Sequence, residues 1–254
     1  MVSRLARLVV CAAVVAGAGL GLATPAAAVA DGNPVPEGQY RFAVKLTMTD
    51  IPRPDGTRYD SSCTAALVSP WWVITAGHCF HDPNRNPVSG PVPYATTATV
   101  GRADLANDTG HVVDVVSVQQ APTGDIAMAK LAAPVNDVTP VRVSSTAPKV
   151  GDVLRITGWG KLKGTDTVPS THLQTGLVKV SSVAAVTAGV KGYFPAPTTS
   201  ACEHDSGAPY FAEPQHRPVL VSVESTGPTC PHAQEETTTR VDPLYGWVKA
   251  TLLT

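Results

Sequence analysis

A chain of 254 residues, 43% apolar and 15% charged, holds enough core-forming material for one large domain or two small ones, which excludes wholesale disorder. Its 19 basic and 20 acidic residues give a formal charge of −1, which leaves no electrostatic footprint for nucleic acid or anionic lipid. With 21 glycines and 23 prolines the chain must turn often, which disfavours a helical bundle.

The first expected element is an export signal over residues 1–28. Arg4 and Arg7 form a basic start, Leu8 to Leu22 an apolar stretch, and Ala26-Ala27-Ala28 an A-x-A cleavage site. A retained membrane span needs roughly 20 apolar residues, whereas this stretch is shorter, rich in glycine and alanine, and soon followed by Pro25. A lipid anchor at Cys11 is rejected, because the cysteine comes early in the apolar stretch and follows Val9-Val10. Cleavage after Ala28 leaves 17 basic and 20 acidic residues, net −3. The product is expected to be soluble outside the cytoplasm, where disulfides persist.

The remaining chain reads as short strands. Phe42–Leu46 alternates apolar and polar residues, and so do the segments around Ala65–Val68, Ala98–Val100, Val112–Val118 and Val153–Thr157. Gly, Pro, Asn and Asp clusters separate them, which is an all-β pattern. A seam near Val138–Ser145 divides two β units of similar size. The clearest helix is the tail from Pro243 to Leu253, with Leu244, Trp247, Val248 and Leu252 on one face. Four cysteines follow the signal: Cys63, Cys79, Cys202 and Cys230. They allow three pairings. The local one, Cys63–Cys79 with Cys202–Cys230, closes one short loop in each half, each worth about 3 kcal/mol on a loop-entropy model. A zinc site is the weaker reading, since no C-x-x-C pair is present.

Three segments carry chemistry. Trp72-Val73-Ile74-Thr75-Ala76-Gly77-His78-Cys79 is an apolar strand ending in a histidine beside a cysteine. Gly124-Asp125-Ile126-Ala127-Met128-Ala129-Lys130-Leu131 opens an apolar alternation with an aspartate. Cys202-Glu203-His204-Asp205-Ser206-Gly207-Ala208-Pro209 completes the set. Together they resemble the trypsin/chymotrypsin family of serine peptidases, in the order His, Asp, Ser. Gly158-Trp159-Gly160 and Thr239-Arg240-Val241 are similar to the same family, and the likeness runs over essentially the whole chain after residue 28. With signal cleavage falling directly before Val29, the chain looks like a secreted, bacterial-type member without a long propeptide.

The resemblance implies an all-β fold of two six-stranded antiparallel β-barrels with a C-terminal helix, the first barrel over about 29–141 and the second over about 142–254. It also implies the roles of three side chains. A serine hydroxyl needs a base within hydrogen-bond reach to become a nucleophile, an imidazole titrates near the working pH, and a buried carboxylate orients that imidazole. By the match Ser206 is the nucleophile, His78 the base and then the acid, and Asp125 the orienting group. The amides of His204 and Ser206 form the oxyanion hole, and the new amine at Val29 turns inward to pair with Asp205.

The chain also departs from the family. His204 and Ala208 stand where glycines are usual, and a Cβ costs around 1–2 kcal/mol if φ must be positive. In the specificity pocket Ser200 is placed on the floor, Ser222-Val223-Glu224 where Ser-Trp-Gly is common, and Glu236 in place of another lining glycine. The glutamates point to a mixed or basic side-chain preference. The expected partners are a protein or peptide substrate and a protein inhibitor, with no nucleic acid, no membrane, no cofactor and no metal, and the expected state is a monomer. Two rivals use the same residues: a catalytically silent homologue that binds a partner, and an esterase.

Overall fold

The computed structural model describes residues 29–254, so the expected export signal over residues 1–28 lies outside the described residues. Six strands form the first barrel: β1 (Ala43–Pro52), β2 (Arg58–Ser69), β3 (Trp72–Thr75), β4 (Thr96–Val100), β5 (His111–Gln120) and β6 (Ala127–Leu131). Six form the second: β7 (Val153–Gly158), β8 (Gln174–Val183), β9 (Thr187–Phe194), β10 (Pro209–Ala212), β11 (Val219–Thr226) and β12 (Glu236–Arg240). Around the first barrel the antiparallel neighbours run β1-β2-β3-β6-β5-β4 and return to β1. Around the second they run β7-β8-β9-β12-β11-β10 and return to β7. The order is the same in both, and closure removes the unpaired edges that an open sheet would present.

Alternation explains the barrel walls. In β1, Val44, Leu46 and Met48 point inward and are buried. β2 is buried on both faces from Cys63 to Val68. One face lines its own barrel; on the other, Thr64 meets the second barrel and donates from its hydroxyl to the His204 carbonyl at 3.2 Å. The small side chain of Ala66 lies on the same face of the strand as Thr64 and is fully buried. Phe42 and Tyr40 each meet Phe211 edge-on, with ring centroids 5.2 Å apart, a favourable aromatic geometry that seals the junction.

The connection after β6 touches both halves: the Val141 amide donates to Leu67 and the Ser144 amide to Leu220. The chain end then returns to the first barrel. Pro243 lies in a tight turn over Asp242–Leu244, and α-helical bonding begins only with α1 (Tyr245–Thr251), a shorter helix than the expected Pro243–Leu253. Leu244 and Val248 are buried in the first-barrel core, with Trp247 and Leu252 packed on its edge. Both disulfides are local, Cys63–Cys79 and Cys202–Cys230. Among the described residues no helix is long and apolar enough to cross a membrane.

Candidate active site

β3 and β6 are hydrogen-bonded neighbours, with Thr75 opposite Ala127. The turn after β3 carries His78, and the residue pair before β6 carries Asp125, so the pairing brings the two side chains to one rim of the first barrel. The His78 amide donates to Asp125 Oδ1 at 2.8 Å, and His78 Nδ1 lies 2.7 Å from Asp125 Oδ2. Gln120 Nε2 donates to the Gly77 and Phe80 carbonyls and braces the turn. On the other side of the ring, His78 Nε2 lies 2.8 Å from Ser206 Oγ. Ser206 comes from the loop before β10, so the three side chains span both barrels.

Ser225, at the end of β11, donates its hydroxyl to Asp125 Oδ2 at 2.7 Å. Burial pushes the Asp125 carboxyl pKa up, but the hydrogen bonds from His78 and Ser225 outweigh it and hold the group below the usual carboxylate range. The aspartate therefore faces the His78 ring as a negative charge.

The Ser206 loop is held from both barrels. The Thr64 amide donates to the Ser206 carbonyl at 2.9 Å, and the Gly207 amide donates to the Glu224 backbone carbonyl at 2.8 Å. Gly207 has φ +81°, and a Cβ there would overlap the Thr75 hydroxyl and the Thr64 carbonyl, so only glycine fits. Among the described residues the amides of His204 and Ser206 have no protein acceptor. His204 adopts φ +78° despite its side chain. Burial pushes its imidazole pKa down, and Nδ1 sits 3.1 Å from the Ser62 carbonyl, which requires Nδ1 to be the donor. That contact and the Thr64 hydroxyl anchor a residue whose backbone strain is real. Ala208, by contrast, has no positive φ, so the cost expected there does not arise.

Asp205 is wholly buried. Gly160 and Cys202 donate their amides to it at 2.8 and 2.9 Å. A Cβ at Gly158 or Gly160 would collide with its carboxylate, which gives the Gly158-Trp159-Gly160 motif its physical reason. Burial pushes the Asp205 carboxyl up to about 8. Val29 is also fully buried, in the cluster that holds Ala208 and Tyr210, and Ala30 pairs with Ser200.

Beside Ser206 a cavity of about 440 Å³ is lined by Ala201, Glu203, Glu224, Thr226, Gly227 and Glu236, among others. Of the expected pocket residues, Glu224 and Glu236 reach its wall. Ser200, Ser222 and Val223 do not: all three are buried, and Ser200 Oγ instead accepts the His232 amide at 3.3 Å. Of β11 and the residue after it, Glu224, Ser225, Thr226 and Gly227 line the cavity, whereas Ser222 and Val223 do not. Ser222 and Val223 pair with Arg240 and Thr239 within the barrel, and only the end of β11 reaches Asp125. Ser225-Thr226-Gly227 has a serine and a glycine at the same spacing as the Ser-Trp-Gly expected at Ser222-Val223-Glu224.

A profile of the family described as Trypsin matches residues 29–248. The chain is 28% identical to Transmembrane protease serine 9 of Rattus norvegicus over 253 residues, 90% of this chain and 22% of that protein. It is 29% identical to Transmembrane protease serine 11C of Mus musculus over 203 residues, 73% of this chain and 44% of that protein. The chain therefore spans less than half the length of either relative. Both relatives are mammalian, so the likeness reaches the family and not a bacterial-type subgroup of it. A match that begins at Val29 and runs into the terminal helix, over two barrels of one strand order, means that the chain belongs to the trypsin/chymotrypsin-like serine peptidase family.

Proposed function

We propose that the protein is an exported serine endopeptidase that cleaves peptide bonds through an acyl-enzyme intermediate. The observation that carries this reading is the His78 ring bridging Asp125 Oδ2 at 2.7 Å and Ser206 Oγ at 2.8 Å. Ser206 Oγ attacks the scissile carbonyl while His78 Nε2 takes its proton. Asp125 orients the ring and stabilises the imidazolium. The amides of His204 and Ser206 receive the developing oxyanion, a contribution worth roughly 10²–10³ in rate per donor. His78 then gives its proton to the leaving amine, and a water activated by the same ring releases the acyl group.

Export is supported by the basic, apolar and A-x-A order of residues 1–28. The same cleavage frees the amine of the buried Val29, and its pairing with Asp205 supplies a counter-charge to the buried carboxylate. The deciding experiment treats the purified protein and its Ser206→Ala form with a small fluorophosphonate and with a peptide library. Labelling confined to the serine form, with cleaved peptides, supports the reading. A protein that is neither labelled nor active on peptides overturns it, and turnover of esters alone favours the esterase.

A further inference from the structure

The connection between the barrels lines a groove that takes no part in the triad. Two cavities, of about 510 and 580 Å³, meet there and share Pro140, Val141 and Arg142. Tyr40 and Phe42 line the first, while Tyr245 and Leu252 line the second. Neither shares a residue with the cavity beside Ser206. Arg142 pairs in parallel with Val219 at the start of β11. Arg217, just before that strand, lines the first cavity, and Lys249 of α1 lines the second.

These three cations are unopposed. All are exposed, and among the described residues none of them forms an ion pair. Among the described residues the second cavity has no acidic group in its lining. The first has Asp137, which is already engaged by Arg41 at 3.1 Å and His111 at 2.6 Å. The hydrogen bonds from His111 and Arg41 hold its carboxyl below the usual carboxylate range. Glu213, on the loop that leads to Arg217, turns instead to Arg155 and Tyr40. That loop is also strained: Gln215 and His216 adopt φ +52° and +61°, though neither is glycine. Strain of this kind clusters at segments that hold ligands, and His216 and Arg217 both line the first cavity. The chain after residue 28 carries a net charge of −3, so the groove is positive on an acidic molecule.

We propose that this groove binds an extended, acidic segment of a partner protein, with aromatic or aliphatic side chains in the two cavities and carboxylates on Arg142, Arg217 and Lys249. The two cavities that meet at Arg142 give alternate side chains of an extended peptide a place to be buried. Three unpaired cations supply the complementary charge and draw an acidic ligand in. A guanidinium takes a carboxylate through two parallel hydrogen bonds, so Arg142 and Arg217 set register as well as sign. The site is independent of the endopeptidase reading, because it contains no residue of the triad or its cavity.

The test uses the Ser206→Ala protein, in which no triad can cut the probe, and a fluorescein-labelled peptide that alternates Glu or Asp with Phe or Leu. Matched probes carry Gln and Asn for the acids, or Ala for the apolar residues. Fluorescence anisotropy is expected to show saturable binding, weakened about tenfold by either replacement and weakened further by added salt. Arg142→Glu with Arg217→Glu is expected to lose binding to the same degree at the parent Tm, and in the Ser206 form to leave phosphonate labelling unchanged. Should the reversal lower Tm, Arg142→Gln with Arg217→Gln reads the loss of charge without adding repulsion. Absence of binding, equal binding of the acidic and amide probes, or unchanged binding by the Gln pair overturns the proposal. A dimer in sedimentation that the double variants dissolve gives the groove to a second copy. Arginine-dependent capture by anionic vesicles, with no peptide bound, gives it to lipid. Either result overturns the peptide assignment.

Discussion

A blocked Val29 amine should make the protein unstable as pH rises from acid to neutral, and freeing that amine should remove most of the loss. The structure supplies the magnitude. An ordinary carboxyl near 3.8 and Asp205 near 8 differ, at about 1.4 kcal/mol per pH unit, by about 6 kcal/mol at most. The raised folded pKa means that this stability is complete below pH 3.8 and is lost progressively as pH climbs to about 8. A free Val29 amine paired with Asp205 favours the carboxylate, lowering its pKa and retaining the stability. The amine itself is raised above its unfolded value of about 7.7–8.0, so its contribution disappears once pH passes the raised value. The assay is urea unfolding of two Ser206→Ala proteins, one beginning at Val29 and one with extra residues before it, from pH 4 to 10. The two should coincide at pH 4, differ by several kcal/mol at pH 7 and converge again in strong alkali. Lys45, whose own burial pushes it down to about 8, moderates the cost, so K45M should deepen the loss in the extended form. A gap that stays constant with pH refutes the reasoning.

Three further outcomes follow from the site. Ser225→Ala removes a hydrogen bond to the charged Asp125 and should lower kcat/KM about tenfold, measured by steady-state kinetics, with KM nearly unchanged. His204→Ala keeps the strained backbone but loses the Ser62 contact, so its kcat should fall about fivefold, whereas His204→Gly relieves about 1–2 kcal/mol of strain and should turn over at least as fast as the parent; identical behaviour of the two variants would refute the anchoring role. Gly207→Ala combines a left-handed backbone with overlap against Thr75 and Thr64 and should cost about 2–5 kcal/mol, read as a fall in Tm.

The strands were legible because apolar alternation reflects a wall with an inside and an outside, as at Val44, Leu46 and Met48. The His78, Asp125 and Ser206 segments were legible because each carries a local mark: a bridged cysteine, a strand start and a turn of small residues. The β11 register was not. Ser222 and Ser225 both lie on one strand, and the choice between them depends on which hydroxyl reaches a carboxylate 100 residues away in sequence. The helix was read too long because the apolar stripe begins at Leu244, where the backbone still forms a tighter turn. Glu224 and Glu236 both reach the cavity wall, yet their shared contact with Tyr210 depends on three strands meeting, with an irregularity in the β11–β12 ladder between Glu224 and Thr226. No local pattern marks a tyrosine that only tertiary packing brings between two carboxyl groups.

Thr64 grips the Ser206 carbonyl with its amide and the His204 carbonyl with its hydroxyl, so the reactive loop owes its shape to the opposite half of the molecule. A newly made chain with just one half assembled has a hydroxyl without its base and a base without its hydroxyl. On the endopeptidase reading such a chain cannot cut its neighbours, because the hydroxyl and its base meet only when the second barrel docks against the first.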